Sequence, residues 1–509
     1  MHPMKKFATI LVLSLATVVV RAALPSPDLI AQIHFAGVQK ISASKESAAF
    51  NNEFSSAEAL ALRKQTADKL SNWLPGWLQK NTGVAVTSGA MKLRPLFDDL
   101  QKSEWFLEAR RTANGRPQVA IAIKLAADRA QLWQTNLKPF FPAASFKSTG
   151  GWLVFDSGPD APKLGDRLTQ EISKPDGAWL SVDVNWPQLG AWYPQLKSLG
   201  LPETRLQVTA ADANLHIDGK FFFPENLAMN LEPWRMPTNT VHQPFVSFTA
   251  VRGFSGWLKS QPWAQPYLLT PEANQLFIWA LPQIPYQTFA AVPVADSMAM
   301  LAQAYARLQP VFNAPKTAGE FFTPFTLGRT NDEINLRGTP FIAPYIQSVH
   351  EPAGQFLFAG VFPNTPRSKP LPPELFQRLA TKDLVYYHWE ITAERWPEVL
   401  NLSQLGLVLT SHRQLEDNSA ALKWIQKIAP KLGNTVTEIT RTGPAEMTFT
   451  RKAPGGFTAA ELFTLGSWLE APNFPGFDIK LPPRPKRPIR PHHAPPGSPA
   501  PAPASVRAK

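Results

Sequence analysis

Two acidic residues are the best candidates for chemistry in this sequence, because they stand at similar places in two similar stretches. Asp183 lies in SVDVN and Glu390 in HWEIT, and a Trp-Pro pair follows each of them. As functional residues they would be duplicated carboxylates at the mouths of related clefts. A hydrolase would need one of them within hydrogen-bonding range of a histidine or a second acid. As structural residues they would lie on the solvent-exposed face of an antiparallel strand, where acids are common.

Tryptophan is the second candidate for a functional role, with 16 residues in a chain of 509. Trp73 and Trp77 are four positions apart around Pro75-Gly76, which makes them the best candidates for exposed rings. Exposed Trp rings stack on sugar rings, so the pair predicts a glycan-binding surface, with core packing beside proline as the alternative. An exposed pair in a groove would favour the glycan surface, and buried rings would count against it.

Known local signatures of catalysis, metal binding and nucleotide binding do not occur in the sequence. The nearest match to a hydrolase nucleophile elbow, GFSG at 253–256, has the wrong spacing. A proline follows His350-Glu351 and would break the helix that a zinc-protease motif requires. The chain has no cysteine, which excludes disulfides, thiolate nucleophiles and Cys-based zinc sites. The sequence therefore predicts no catalytic residue, no metal site and no cofactor.

The candidate residues belong to an order of predicted elements that occurs twice. Residues 119–227 and 287–457 each predict a strand, a helix, a strand, a helix, a strand, a helix and two final strands. Asp128 and Asp296 precede the first helix of each copy and are candidate N-caps. The Trp-Pro pair is predicted to begin the third helix of each copy, since proline suits the first helical turn.

The fold class that follows is α+β. We expect two tandem related domains, formed by an internal duplication, each with a mixed or antiparallel sheet and packed helices. Their boundaries are placed at 23–238 and 239–479, so each has roughly 200 residues, a normal size for one core. Ahead of the first copy, a helix is predicted to end at Pro75-Gly76.

The N-terminus predicts export. Lys5 and Lys6 precede a short apolar stretch, and small residues follow it, which is typical of a cleaved signal peptide at 1–22. An uncleaved membrane anchor is the alternative. A cysteine-free exported protein suits a bacterial periplasm or outer envelope.

The basic character of the chain is concentrated in its C-terminal tail. Three basic residues fall in the predicted signal and seven lie from Lys480 onward, so only +2 of the net charge of +12 belongs to the remainder. The proline-rich segment 480–509 predicts a disordered tail. It would serve either as a solubilising end or as a tether to an anionic envelope surface, and nucleic acid is not expected as a partner. The tether would act through Arg484, Lys486, Arg487 and Arg490.

Two segments, PDLIAQIHFAG at 27–37 and RKAPGGFTAAEL at 451–462, resemble an uncharacterised family of exported bacterial proteins with no assigned activity. This resemblance implies no catalytic residues. Taken together, the sequence favours a non-enzymatic binding or scaffold protein of the cell envelope, whose small-molecule or glycan ligand is unknown. A glycan-binding accessory protein and an unrecognised hydrolase are the alternatives.

Overall fold

The computed structural model describes residues 28–476 apart from 113–116, 159–160, 173–176, 193–199, 242–243, 262–263, 266–267, 283–286, 313–325, 340–341, 363–372 and 411–417. The predicted signal peptide and the predicted tail, including Arg484, Lys486, Arg487 and Arg490, lie outside the described residues.

The described strands form one eighteen-stranded sheet in two parts. The strands of the first part are β1 Leu29–Phe35, β2 Trp105–Arg111, β3 Pro117–Lys124, β4 Ser145–Thr149, β5 Trp152–Asp156, β6 Leu180–Val184, β7 Glu203–Ala211 and β8 Asn214–Phe222. The strands of the second part are β9 Ser247–Arg252, β10 Gln275–Ala280, β11 Thr288–Val294, β12 Thr326–Arg329, β13 Glu333–Arg337, β14 Tyr345–Glu351, β15 Gly354–Gly360, β16 Leu384–Ile391, β17 Asn434–Gly443 and β18 Glu446–Ala453.

The helices connect the strands and cover the sheet. Those of the first part are α1 Val38–Ser42, α2 Ala48–Phe54, α3 Ala57–Thr82, α4 Gly89–Lys102, α5 Ala127–Leu137, α6 Ala161–Glu171 and α7 Trp186–Trp192. Those of the second part are α8 Ser255–Ser260, α9 Ser297–Phe312, α10 Pro373–Leu379, α11 Thr392–Thr410, α12 Ala420–Ile428 and α13 Ala459–Glu470. The Trp-Pro pair begins α7 as predicted, but α11 begins four residues before Trp396, so that prediction is wrong for the second helix.

Each strand pairing in the described residues is antiparallel, so the antiparallel alternative of the predicted sheet is the one that forms. Across the first part, the order is β4-β5-β3-β2-β1-β6-β7-β8. Across the second part, it is β12-β13-β14-β15-β11-β10-β9-β16-β17-β18. The two parts join through the pairing of β8 with β18, so they form one continuous sheet and not two separate sheets.

Alternation of side chains along the strands gives the sheet two apolar faces. Face A, which carries Ala120 of β3 and Phe248 of β9, is covered by α6 in the first part and by α10 in the second. Face B, which carries Ile123 and Leu357, is covered by α3, α4 and α5 in the first part and by α9, α11 and α13 in the second. Because strands pleat with a period of two, each buried face needs only every second residue to be apolar.

Helix α3 runs through Pro75, so the predicted break at Pro75-Gly76 is wrong. It is capped by Ser56 and ends at Gly83, which adopts the left-handed conformation. Proline removes one helical hydrogen bond, but Pro75 packs so closely on α4 that a Cβ at Gly89 would lie 2.8 Å from it. The continuous helix packs Leu62 against α12 and α13 and Leu78 against α4, so it contacts the cores of both parts.

Candidate functional site

Asp183 and Glu390 lie on opposite faces of the sheet and do not form one site. Asp183 pairs with Gln32, which pairs with Glu108 on the next strand, and all three side chains lie on face A. When the paired residues are followed from strand to strand across the sheet, Glu390 lies on face B. The Asn185 N–H donates to the Ile30 carbonyl of β1, and the Ile391 N–H donates to the Val246 carbonyl just before β9, each at 2.8 Å. Asp183 lies two residues before the donor Asn185, whereas Glu390 lies one residue before the donor Ile391. The prediction that the two acids share one face is therefore wrong, since a difference of one position along a strand reverses the face.

Asp183 is partly buried on β6, with 24% of its side chain exposed. Its Oδ2 lies 3.3 Å from Nε of Arg205 on β7, and the same guanidinium pairs with Glu203 at 3.1 Å. Burial raises the pKa of Asp183 to about 6, although the charge of Arg205 lowers it. A carboxyl group that titrates near neutral pH is suited to proton transfer or to pH-dependent binding. Asp183 therefore remains a candidate functional residue, and its burial can be tested by the pH dependence of stability.

Glu390 is buried on β16, with 3% of its side chain exposed, and so does not lie on a solvent-exposed face. Its Oε1 accepts from the Ala459 N–H at 2.7 Å and from the Thr392 hydroxyl at 2.8 Å. His388 Nε2 lies 3.3 Å from Oε2, and His388 Nδ1 is 2.8 Å from the Thr249 hydroxyl. Burial raises the pKa of Glu390, but the nearby His388 and the two donors lower it by more, so the net direction is down.

His388 and Glu390 lie close enough for the contact that a hydrolase requires. Glu390 also accepts a hydrogen bond from Ala459, however, and through it supports helix α13. Ala459 is the first residue of α13, whose N–H groups lack helical partners. Beside it, Arg451 pairs with Glu461 at 2.9 Å, and each side chain is 4% exposed. Glu461 in turn closes a capping box with Thr458. The buried polar cluster therefore holds α13 on face B, and neither of the two cavities described below is lined by it.

Trp73 and Trp77 are brought together on one side of α3. Their rings lie 5.9 Å apart at 27°, so they stack mainly on each other. Trp73 is 37% exposed, whereas Trp77 is partly buried against the α3–α4–α5 core. One ring face of Trp73 is thus the main surface that this pair offers, and its role in binding sugars stays a prediction.

A groove of about 900 Å³ at one end of the first part is a further candidate for a binding site. It opens where the ends of β1, β2 and β3 and the turn between β4 and β5 meet α1, α4 and α5. We call it the lysine groove. It is lined by Ala36, Gln39, Lys40, Pro95, Asp98, Asp99, Lys102, Ser103, Glu104, Lys124, Leu125, Ala126, Arg129 and Gly151. Its volume lies in the usual range of small-molecule sites, about 300–1,000 Å³.

All three acidic side chains of the lysine groove are engaged in ion pairs. Asp98 pairs with Arg94 of the same helix. Asp99 pairs with Arg129 at 2.7 Å, and Glu104 pairs with Lys40 at 2.7 Å.

Two of these acids are also fixed from below by the core. The Trp133 indole donates to Asp99 at 2.9 Å. His34 Nε2 lies 3.2 Å from Glu104, and the His34 ring stacks on Phe106 with centroids 4.1 Å apart. These anchors hold both carboxylates in place, beside the cations with which they pair.

Lys102 and Lys124 are the cations that stay available in the lysine groove. Both are exposed, and no ion pair engages either of them within the described residues. Lys102 ends α4 and Lys124 ends β3, so the fold brings together two residues that are distant in sequence. The groove therefore presents net positive charge to an incoming ligand.

Gly37 fixes the wall of the groove that carries α1. It follows β1 with φ of +81°, which disfavours any side chain. A Cβ at this position would collide with the backbone of Ser103 and lie 2.7 Å from the Lys102 carbonyl oxygen. The close approach of the two backbones is what sets Lys40 opposite the end of α4.

Helix α5 begins at the floor of the groove without a side-chain cap. Its N-cap is Ala126, and Asp128 lies inside the first turn, so the prediction that Asp128 is the cap is wrong. Asp296 does cap α9, where it accepts from the Ala299 N–H at 2.9 Å. The partial positive charge of this first turn is therefore met by the Asp128 carboxylate within it.

No group of three or more His, Asp or Glu side chains in the described part of the chain is placed to share a metal ion. Within the same residues, no helix is both long and apolar enough to cross a membrane. Comparison with protein-family models, with curated proteins and with solved structures finds no match to this chain.

Proposed function

We propose that this chain is an exported, non-enzymatic binding or scaffold protein of the bacterial envelope, and that it holds an anionic ligand in the lysine groove. The observation that carries the proposal is the groove itself, in which every acid is paired, whereas Lys102 and Lys124 form no ion pair with any described residue. Two exposed ammonium groups at a concave site attract phosphate or carboxylate groups. The ligand class is therefore an anionic envelope component, such as a lipid head group or an acidic polymer.

The C-terminal tail fits the same partner. Its basic residues would form a second attachment to an anionic surface, since they lie close together in the sequence. They are Arg484, Lys486, Arg487 and Arg490. In this arrangement, the tail supplies non-specific attraction and the groove supplies a shaped site. Placement in the periplasm or outer envelope is part of the proposal and rests on the signal-like N-terminus.

We also propose that the two parts of the sheet arose by tandem duplication. The shared strand order supports this, once β12 and β13 are set aside. A second support is the glycine that follows the first strand of each part: Gly37 has φ of +81° and Gly253 has φ of +80°, and each precedes a short helix. The same offset of 216 residues relates Ile30 to Val246, the acceptors of the matching 2.8 Å hydrogen bonds.

The groove is tested with the double variant Lys102→Ala/Lys124→Ala. A basic residue near an anionic membrane surface contributes about 1 kcal/mol, so losing two should weaken binding to phosphatidylglycerol vesicles roughly 30-fold at low salt. Isothermal titration with a short polyphosphate separates a free phosphate ligand from a lipid head group. Thermal unfolding should be unchanged, because both lysines are exposed.

The matched control is Lys64→Ala/Lys80→Ala, which removes the same charge from exposed positions of α3. Each pair is made in the full chain and in a chain that ends at Gly476, so that attraction by the tail is separated from binding in the groove. If the groove variant and the control variant weaken binding equally in both chains, the groove is not the site.

A further inference from the structure

The second part of the sheet extends beyond β14 by a hairpin, β12–β13, whereas the first part ends at β4. Strands β13 and β14, together with the described residues between them, line a second cavity of about 470 Å³ on face A. Ile334 turns to face B, where it packs against α9, so the alternate residues Glu333, Asn335 and Arg337 of β13 line the cavity. An added element that presents a concave surface is a common place for a binding site.

The floor of this cavity is a ladder of planar polar groups along β13. The Asn335 amide donates to Glu333 at 3.0 Å, and Nε of Arg337 donates to the Asn335 oxygen at 3.1 Å. On β14, Gln347 and Tyr345 lie opposite Glu333 and Asn335. Each planar group is held by its neighbour, which leaves further donors and acceptors directed into the cavity.

Gly328 of β12 makes room for the ladder. It lies opposite Asn335, and a Cβ there would collide with the Asn335 side-chain oxygen and lie 2.8 Å from Nε of Arg337. The aromatic side of the cavity is Tyr345, whose ring packs against Phe358 with centroids 5.8 Å apart. The cavity thus combines a fixed aromatic ring with a row of fixed hydrogen-bonding groups.

We propose that this cavity, which we call the hairpin cleft, binds a neutral carbohydrate. Sugar hydroxyls are both donors and acceptors, and adjacent hydroxyls match the paired atoms of amide, carboxylate and guanidinium groups. The apolar face of a sugar ring packs on an aromatic ring such as Tyr345. The charges of Glu333 and Arg337 oppose each other within the ladder, so the cleft has no preference for a charged ligand. A volume of about 470 Å³ suits a short segment of a glycan.

The test is calorimetry and saturation-transfer NMR on the full chain with four probes: oligosaccharides of glucan, xylan, mannan and chitin type at millimolar concentration. We expect one class to bind and Asn335→Ala to weaken it about tenfold, the equivalent of one or two hydrogen bonds. Gly328→Ala should weaken it similarly, because the new methyl group displaces the ladder without changing its chemistry.

The matched control is Arg329→Ala. Arg329 belongs to the same hairpin, but its guanidinium lies over the Tyr305 ring of α9 on the other face, 5.2 Å from the centroid. This variant should bind as the unaltered chain does, and both Asn335→Ala and Arg329→Ala should keep the unfolding temperature of the unaltered chain. The proposal is overturned if no probe binds, or if Arg329→Ala loses binding as fully as Asn335→Ala. Neither outcome depends on the lysine groove.

Discussion

The pKa of Asp183 predicts that this residue makes the fold less stable at neutral pH. Burial raises its pKa from 3.8 to about 6. Since each pKa unit corresponds to about 1.36 kcal/mol, the gap amounts to roughly 3 kcal/mol. A carboxyl group whose pKa is higher in the folded chain binds its proton more tightly there, so its contribution falls as the pH rises from about 4 to about 6. Above that window, the full cost is present.

Asp183→Asn tests this reasoning, because an amide resembles the protonated carboxyl group in size and charge. The variant should unfold at a higher urea concentration than the parent at pH 7.5, by an amount equivalent to as much as 3 kcal/mol. The difference should shrink steadily below pH 6 and vanish near pH 4. Urea unfolding followed by tryptophan fluorescence at four pH values measures both effects.

Asp166→Asn is the control for this experiment. Asp166 is exposed and pairs with exposed Lys147, so its replacement should change stability by less than about 1 kcal/mol at any pH. A gain from Asp183→Asn that does not vary with pH would show that burial of the charge is not the cause. No gain at pH 7.5 would refute the raised pKa of Asp183, because it would mean that the charge of Arg205 fully offsets the burial of the carboxylate.

Two further predictions concern the fold. Arg451→Met should lower the free energy of unfolding by about 3–5 kcal/mol, because Glu461 is left buried without its partner, and Arg451→Met/Glu461→Leu should recover most of the loss in urea unfolding. Gly37→Ala should destabilise the chain by at least about 1 kcal/mol and should weaken anion binding in the lysine groove, since α1 must move away from Ser103. Equal stability of Gly37→Ala and the parent would contradict the close backbone approach.

The sequence predicts the strands well because alternation is a local signal, but it predicts faces poorly. Asp183 and Glu390 illustrate the difference: both are in strands as predicted, yet they lie on opposite faces, because a shift of one position along a strand exchanges the faces. The exposed-face alternative failed for Glu390 because its cover, α13, comes about seventy residues later in the chain. Helix α3 continued past Pro75 for a similar reason, since packing by α4 compensates for the lost hydrogen bond.

Neither cavity could be read from local motifs. Lys102 and Lys124 are unremarkable in sequence, and they become a site only because α4 and β3 end at the same edge and the nearby acids are paired elsewhere. In the hairpin cleft, the spacing of Glu333, Asn335 and Arg337 at every second residue is a local signal. That spacing alone is equally typical of a solvent-exposed strand, so it does not predict the cavity, which forms only when β13 and β14 pair.

The two parts of the sheet share a strand order, and their differences coincide with the features proposed to bind ligands. In the second part, Glu390 and Arg451 fasten α13 over face B, which closes that face with a buried polar cluster. The lysine groove belongs to the first part, where α5 starts without the cap that Asp296 gives to α9. The hairpin cleft belongs to the second part, where β12 and β13 extend the sheet. Each proposed site thus lies in a feature that only one part of the sheet has, outside the strand order that the two parts share. Mutations in one site should therefore leave binding at the other unchanged.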